Sequence, residues 1–435
     1  MKQKTINIAK NIALVLLTLL MAALTVLIWF RSLSWEDIPV DSRIGQLYMR
    51  VAYGSASVFA LRTEETPAAY PIEIAVRAGD QMVGVQNDET GVDALYEQFR
   101  EDIEQALSIK TMILEEGSEG AFLDALSGDC IYFRYPNALP AGLLLQWLGG
   151  NETASLDFSI SAFLISSDGK VWVRDGQNEL RYYAKTVDST RWQEKIKDSV
   201  FQKCSFALQK QDLFPETLLF ETRRQAYSAM NISTPAYLEN NGTDSLQTVL
   251  EAFAYSTSTG NYMDGNTRIF VNNNSTLRVS LDGTIRFHAT SLEGGIEAYR
   301  ENEASPEGEQ ILRVAAAQSV LEQIQKSYTA EGTFYLYSVY HDSATDRYQL
   351  QFRYLCNGVP VMGDAGRCAV FEFKENTMVS AEITVRTFAA NEQLVYLVPC
   401  AQLLQMANDG DRMISIGYFE KDGVLWPERY FESAV

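Results

Sequence analysis

The segment "TLRVSLDGTIRFHAT" (276–290) decides the fold, because it alternates like two antiparallel strands joined by a short turn. The turn is predicted at Asp282–Gly283, a dipeptide favoured between hairpin strands. The segment "AVFEFKENTMVSAEITVRT" (369–387) repeats the plan of strand, polar turn and strand. A predicted helix precedes each segment, at residues 244–259 and 305–328. A helix followed by a meander, written twice, predicts two related α+β domains with separate sheets.

The first half of the chain also mixes strands with helices. The segment "YPIEIAVRAGDQMVGVQ" (70–86) predicts a hairpin that turns at Gly79–Asp80, and "LDFSISAFLISSDGKVWVRD" (156–175) predicts another that turns at Asp168–Gly169. Between them, residues 90–107 carry apolar side chains at helical spacing, with acids on the opposite side. The apolar stripe consists of Val92, Leu95, Phe99, Ile103 and Ala106.

Residues 12–30 form an uncharged run of 19 residues near the N-terminus. A helix of that length measures roughly 28 Å, close to the thickness of a bilayer's hydrocarbon core. The run ends on the bulky Trp29 and Phe30, which do not suit a signal-peptide cleavage site, so a retained signal-anchor is predicted. Three lysines and no acid precede the run. The positive-inside rule therefore predicts a cytoplasmic N-terminus and an extracellular location for residues 31–435.

The predicted fold class is α+β, with a single N-terminal transmembrane helix and a multidomain ectodomain. The ectodomain is expected to consist of small antiparallel sheets with packed helices, and its last two domains are expected to be related. The predicted parts are a cytoplasmic tail (1–11), the transmembrane helix (12–30), an N-terminal α+β domain (36–205), a middle α+β domain (215–300) and a C-terminal α+β domain (305–435) with an extension.

The predicted membrane helix carries a candidate partner-binding stripe. Thr18, Ala22 and Thr25 are spaced so that they share one helix face, where small side chains let a second helix approach closely. The alternative is an ordinary anchor with scattered small residues. The cytoplasmic tail is too short for a signalling domain, so any message across the membrane has to pass through this helix or through a partner.

The net charge and the cysteines bear on which molecules the protein binds and on whether it contains disulfides. The formal net charge is −20, and none of the 56 acidic residues lies in residues 1–30. Such a surface repels nucleic acid, which excludes nucleic-acid binding. Five widely spaced cysteines do not form a disulfide framework. For Cys356 and Cys368, two alternatives stay open: a bridge across a hairpin, or two buried reduced thiols.

Residues for catalysis or metal binding are scarce. The chain has two histidines, His288 and His341, both in predicted strands or at strand ends, and a structural or solvated role is expected for them. No G-x-S-x-G, H-E-x-x-H or C-x-x-C motif is present. Paired carboxylates of a glycosidase need no motif, so the many acids neither support nor exclude them. No catalytic residue, cofactor or metal site is predicted.

Several segments together resemble the YycH/YycI family of membrane-anchored regulators. They are the anchor "IALVLLTLLMAALTVLIWF" with its basic lead, "IYFRYPNALPAGLLLQWL", "FSISAFLISSDGKVWVRD", the repeated helix and meander, and the C-terminal "YQLQFRYLCNGVPVMG", "LVPCAQLLQMA" and "ISIGYFEKDGVLWPERYF". The resemblance covers nearly the whole chain, although each motif is an apolar pattern with Pro and Gly. The chain departs from the family at its end, where it stops at Val435.

The resemblance implies a non-catalytic regulator of the YycFG (WalKR) cell-wall two-component system of Gram-positive bacteria. The implied partners are a sensor histidine kinase in the membrane and a YycI-like protein, and both inhibition and activation of the kinase stay open. Two other functions are kept as alternatives. One is an extracellular sensor domain that binds a wall fragment or peptide, and the other is a carboxylate-dependent wall hydrolase.

Overall fold

The computed structural model describes the chain from residue 68 onward, with gaps. The described residues are 68–108, 113–148, 158–197, 199–210, 213–220, 226–235, 237, 243–299, 308–326, 332–403 and 412–433. The predicted transmembrane helix at 12–30 lies outside them. Within these ranges, no helix combines the length and the apolar character that a membrane crossing requires.

The first part of the described chain is an antiparallel sheet with helices on both faces. Its strands are β1 (Glu73–Ala78), β2 (Gln81–Gln86), β3 (Glu115–Glu116), β4 (Cys130–Pro140), β5 (Ser159–Ser166), β6 (Lys170–Asp175), β7 (Leu180–Ala184), β8 (Gln202–Phe206) and β9 (Leu218–Phe220). Its helices are α1 (Glu89–Leu107), α2 (Glu119–Ser127), α3 (Ala141–Trp147) and α4 (Trp192–Lys197). The strands lie in the order β3-β7-β6-β5-β4-β1-β2-β8-β9.

Local sequence accounts for these elements. β1 and β2 form the predicted hairpin around Gly79, whose φ of 60° suits glycine. Asp88 caps α1, because its side chain accepts a hydrogen bond from the Gly91 amide. The whole predicted stripe of α1 is buried against the sheet. β5 and β6 form the other hairpin, at Asp168–Gly169. Both hairpins and the helix are thus confirmed.

The second part starts with β10 (Ala226–Ser233) and continues through α5 (Thr243–Ala252), β11 (Asn261–Asp264), β12 (Thr267–Asn272), β13 (Ser275–Ser280), β14 (Thr284–Ala289), a 3-10 turn (Leu292–Gly294) and β15 (Ile296–Glu297). The third part comprises α6 (Gly308–Gln325), β16 (Gly332–Asp342), β17 (Arg347–Cys356), β18 (Val359–Pro360), a 3-10 turn (Asp364–Gly366), β19 (Arg367–Lys374), β20 (Thr377–Thr384), β21 (Thr387–Tyr396), α7 (Cys400–Leu403), β22 (Arg412–Lys421) and β23 (Val424–Ser433).

The two predicted meanders share one sheet, so the expectation of separate sheets is wrong. Among the described strands the order is β11-β12-β13-β14-β20-β19-β17-β16. The join is the antiparallel pair of β14 and β20, in which Phe287 lies opposite Ala381. Pairing satisfies backbone groups that two separate edge strands would expose, and it merges the apolar faces into one core. Phe253, just after α5, stacks on Phe287, with ring centroids 5.3 Å apart.

A smaller sheet links the remaining strands in the order β21-β10-β23-β22. β22 and β23 form the terminal hairpin, which turns at Asp422–Gly423 as the sequence predicts. β10 comes from the predicted middle domain, whereas the other three strands come from the C-terminal one. This small sheet packs against the first sheet, and their contact positions the groups described next.

Candidate functional site

The first sheet and the terminal hairpin meet at a buried ion pair. Arg134 in β4 lies opposite Glu73 in β1, and its Nε donates to Glu73 Oε1 over 2.7 Å. The two residues are only 4% and 1% exposed. The same guanidinium donates to Ser415 Oγ in β22 at 3.0 Å and to Glu432 Oε2 in β23 at 3.2 Å. One arginine of the first sheet therefore holds both strands of the hairpin; we call this contact the joint.

The Arg134 side chain stays positively charged at the joint. Burial alone lowers the pKa of the Arg134 guanidinium, but the carboxylates of Glu73 and Glu432 outweigh burial and hold that pKa well above its ordinary value. Gln86 Nε2 donates to the other oxygen of Glu73 at 2.8 Å. The buried carboxylate is thus held by hydrogen bonds as well as by charge, which is the condition for a buried ion pair to be tolerated.

A glycine turn in the large second sheet makes a separate contact with the first part of the chain, at the start of α1. Asn357 and Gly358, between β17 and β18, have φ values of 51° and 79°. A Cβ added at Gly358 would lie 2.6 Å from the Glu89 backbone nitrogen, at the start of α1. This position therefore requires glycine both for its backbone conformation and for space.

A cleft of about 680 Å³ opens beside the joint. One wall is formed by the end of β2 and the first turns of α1, including Gln86 and Ala94. The other walls include Phe201 before β8, Phe220 of β9 and Tyr227 of β10. Burial raises the pKa of Tyr227 to about 12, so its hydroxyl stays protonated at physiological pH.

An exposed apolar surface lies at the edge of the small sheet. Leu394, Tyr396 and Val398 are 58%, 60% and 45% exposed. Their spacing of two residues turns them to the same side of an extended chain. β21 pairs with β10 through Leu394 opposite Ser228 and Tyr396 opposite Ala226, and its other edge has no partner among the described strands. We call Leu394, Tyr396 and Val398 the apolar stripe.

The candidate partner-binding residues Thr18, Ala22 and Thr25 lie outside the described residues. His288 is exposed on β14. His341 stacks on Tyr348, with ring centroids 3.9 Å apart, and its Nε2 is 3.2 Å from Asp346 Oδ1. Within the described ranges, no group of three or more His, Cys, Asp or Glu side chains is arranged to hold a metal ion.

All five cysteines are buried and none is assigned to a disulfide, so of the two alternatives for Cys356 and Cys368 the structure has the reduced thiols. Burial raises the pKa of Cys130 and Cys368 to about 12, which makes them poor nucleophiles.

The joint was not predicted, although the sequence contains a signal for it. Glu73 interrupts the apolar segment "PIEIAV", and Arg134 interrupts "IYFRYP". A charge within a strand that is otherwise apolar usually has a buried partner. The missing information was which two strands are neighbours.

Comparisons with known proteins find one similar solved structure. No protein-family model and no curated protein sequence matches the chain. The crystal structure of YycH from Bacillus subtilis is similar, with a TM-score of 0.49 and 14% sequence identity, over 85% of this chain and 95% of that chain.

Proposed function

We propose that this chain is a non-catalytic, membrane-anchored extracellular regulator that binds a sensor histidine kinase of cell-wall metabolism and changes its activity. The observation that carries the proposal is the apolar stripe. Leu394 and Tyr396 lie in β21, whose outer edge has no partner among the described strands, and Val398 lies just beyond the end of that strand. Grouped large apolar side chains that are exposed mark a surface that a soluble protein usually covers with a partner. The sequence resemblance to the YycH/YycI family supplies the kind of partner, which the stripe alone does not specify.

The stripe is connected to the rest of the molecule by paired strands. β21 pairs with β10, β10 with β23, and β23 supplies Glu432 to the joint. A contact at the stripe therefore acts on a body whose parts are tied together by Arg134. A regulator of this kind has only to bind one kinase conformation more tightly than another. A difference of about 1–3 kcal/mol changes an equilibrium about 5- to 150-fold.

The proposal also assigns a role to the predicted membrane helix. Thr18, Ala22 and Thr25 would contact a transmembrane helix of the kinase, while the apolar stripe contacts its extracellular part. Two contacts on one membrane-bound pair reinforce each other, because the first raises the effective concentration for the second.

A crosslinking pull-down from membranes tests the proposal. The tagged full-length protein is compared with the double variant Leu394→Ser/Tyr396→Ser and with a matched control, Tyr262→Ser/Met263→Ser, which removes two similarly exposed residues from β11. We expect a histidine kinase to be recovered with the wild type and the control, and much less with the stripe variant. Equal recovery with all three proteins would reject the stripe as the contact.

A second arm of the same experiment separates the two contacts. The anchor is replaced by an unrelated single-span helix, and in another variant Thr18, Ala22 and Thr25 are changed to leucine. If the membrane helix contributes, both proteins recover less kinase than the wild type. Undiminished recovery would confine the contact to the extracellular part.

A further inference from the structure

One strand next to the cleft has an open backbone position. The β1–β2 hairpin closes at Ala78 and Gln81, and the Asn87 amide donates to Ile72 O at 2.7 Å. Odd-numbered residues of β2 therefore turn their backbone groups toward β1, and even-numbered ones turn theirs toward β8. Gly84 meets Gln202 of β8 on that side.

Gln86 is the next residue of β2 that faces the β8 side, and it has no strand partner there among the described residues. Continuing the β2–β8 register would place Val200 opposite it, but Val200 is unpaired and 95% exposed. Both residues line the cleft. Gln86 itself is buried, and buried backbone N–H and C=O groups are nearly always hydrogen-bonded in folded proteins.

A second polar group at the cleft also lacks a partner. Asn87 lines the cleft, is buried, and has a side-chain Oδ1 without a hydrogen-bond partner among the described residues. Its Nδ2 faces Ile416 O at 3.5 Å, which orients the amide. A side-chain carbonyl oxygen is a hydrogen-bond acceptor, so this atom is able to accept from an N–H group.

We propose that this cleft binds an extended peptide, which adds as a short strand beside β2 at Gln86. This inference goes beyond the proposed regulation of a kinase and does not depend on it. The Gln86 N–H and C=O would pair with one residue of the peptide, and Asn87 Oδ1 would accept a further amide N–H. Phe201, Phe220 and Tyr227 offer apolar and aromatic walls for side chains.

The size and chemistry of the cleft favour a peptide. Its volume lies within the roughly 300–1,000 Å³ of small-molecule pockets. A peptide supplies amide donors and acceptors at the alternating spacing that an open strand edge requires. A sugar ring does not supply that spacing, so a wall disaccharide is the competing ligand and not the proposed one.

The test uses full-length protein in lipid nanodiscs and a displayed library of random heptapeptides. Enriched peptides are resynthesised and measured against four proteins: wild type, Ala94→Trp, Thr90→Trp and Glu101→Trp. Ala94 and Thr90 are exposed residues that line the cleft, whereas Glu101 is an exposed residue of α1 outside it. Thermal melting of each variant shows that it is folded.

Filling the cleft is expected to weaken peptide binding by about tenfold or more, the equivalent of one or two lost hydrogen bonds, and Glu101→Trp is expected to leave binding unchanged. N-methylation supplies an independent signature. Methyl groups on alternate peptide nitrogens should abolish binding in one register and leave it intact in the other.

Three outcomes of the peptide measurements would overturn the inference. They are the absence of any peptide enriched over the Ala94→Trp protein, binding that no cleft variant weakens, and binding that is indifferent to the register of N-methylation. Occupation of the cleft by a purified wall disaccharide, with no peptide bound, would likewise reject it.

Discussion

Removing Arg134 alone should damage the molecule more than removing the whole ion pair of which it is part. Arg134→Ala leaves the Glu73 carboxylate buried, and among the described residues Gln86 and Tyr132 remain as its hydrogen-bond donors. Loss of one partner of a buried pair typically costs about 3–5 kcal/mol, because the remaining charge has neither water nor a counter-ion. We expect a loss of that size in the free energy of unfolding.

Two companion variants make this prediction specific. In Glu73→Gln/Arg134→Met both charges are replaced by neutral side chains of similar volume, so the desolvation cost disappears with the attraction, and stability should stay within about 1 kcal/mol of the wild type. Glu432→Gln removes a partner that is 31% exposed, and water screens such a pair, so the loss should be about 1 kcal/mol or less.

The assay is denaturant unfolding of the full-length protein in detergent, followed by tryptophan fluorescence. Hydrogen exchange of β1, β4, β22 and β23 shows whether the damage lies at the joint. An alanine variant that is as stable as the wild type would refute the reasoning. So would a double variant that is as unstable as the single one, because the loss would then reflect packing and not an uncompensated charge.

The remaining predictions concern the glycine turn, the acidic helix and the thiols. Gly358→Ala should cost clearly more stability than Gly423→Ala in the same denaturation assay; both have φ near +78°, but only a Cβ at Gly358 meets backbone. Burial and an acidic neighbour one turn further on raise the pKa of Asp93. The charged form of Asp93 therefore destabilises the folded state at neutral pH. We expect Asp93→Asn to raise the free energy of unfolding by a few tenths of a kcal/mol at pH 7 and to leave it unchanged below pH 3.8, where the carboxyl is protonated in both states. Thermal melting at both pH values tests this. Because burial raises the pKa values of Cys130 and Cys368 to about 12, the native protein should resist alkylation by iodoacetamide at pH 8 until denaturant is added. The native protein should also lose stability as the pH rises from 9.0 toward 12, because the thiols of the unfolded chain ionise first. Rapid labelling of the native protein, read by mass spectrometry, would contradict the first prediction.

Local features were predictable because they depend on residues close in sequence. The hairpins at Asp168–Gly169, Asp282–Gly283 and Asp422–Gly423 each follow from a turn dipeptide between alternating strands. The buried face of α1 follows from helical spacing alone. In these cases every residue needed for the inference lies within about twenty positions.

Long-range features were not predictable from the sequence. The pairing of β14 with β20 joins two strands whose edges look alike in sequence, so nothing local distinguishes one shared sheet from two. The same holds for the joint, where Arg134 meets Glu432, 298 positions further along the chain. Glu73 and Arg134 stand out as charges within apolar strands, but the sequence does not show which residues they contact. The cleft lies where the pairing of β8 with β2 stops, and the pattern of the sequence does not show where that pairing stops.

The most direct test of the proposed function is the autophosphorylation rate of the histidine kinase recovered in the pull-down. The purified kinase is reconstituted in nanodiscs alone, with the wild-type protein, and with Leu394→Ser/Tyr396→Ser. We predict that the wild-type protein changes the rate by at least about fivefold and that the stripe variant does not. An unchanged rate with the wild-type protein would contradict the account, and an equal change with both proteins would show that regulation does not pass through the stripe.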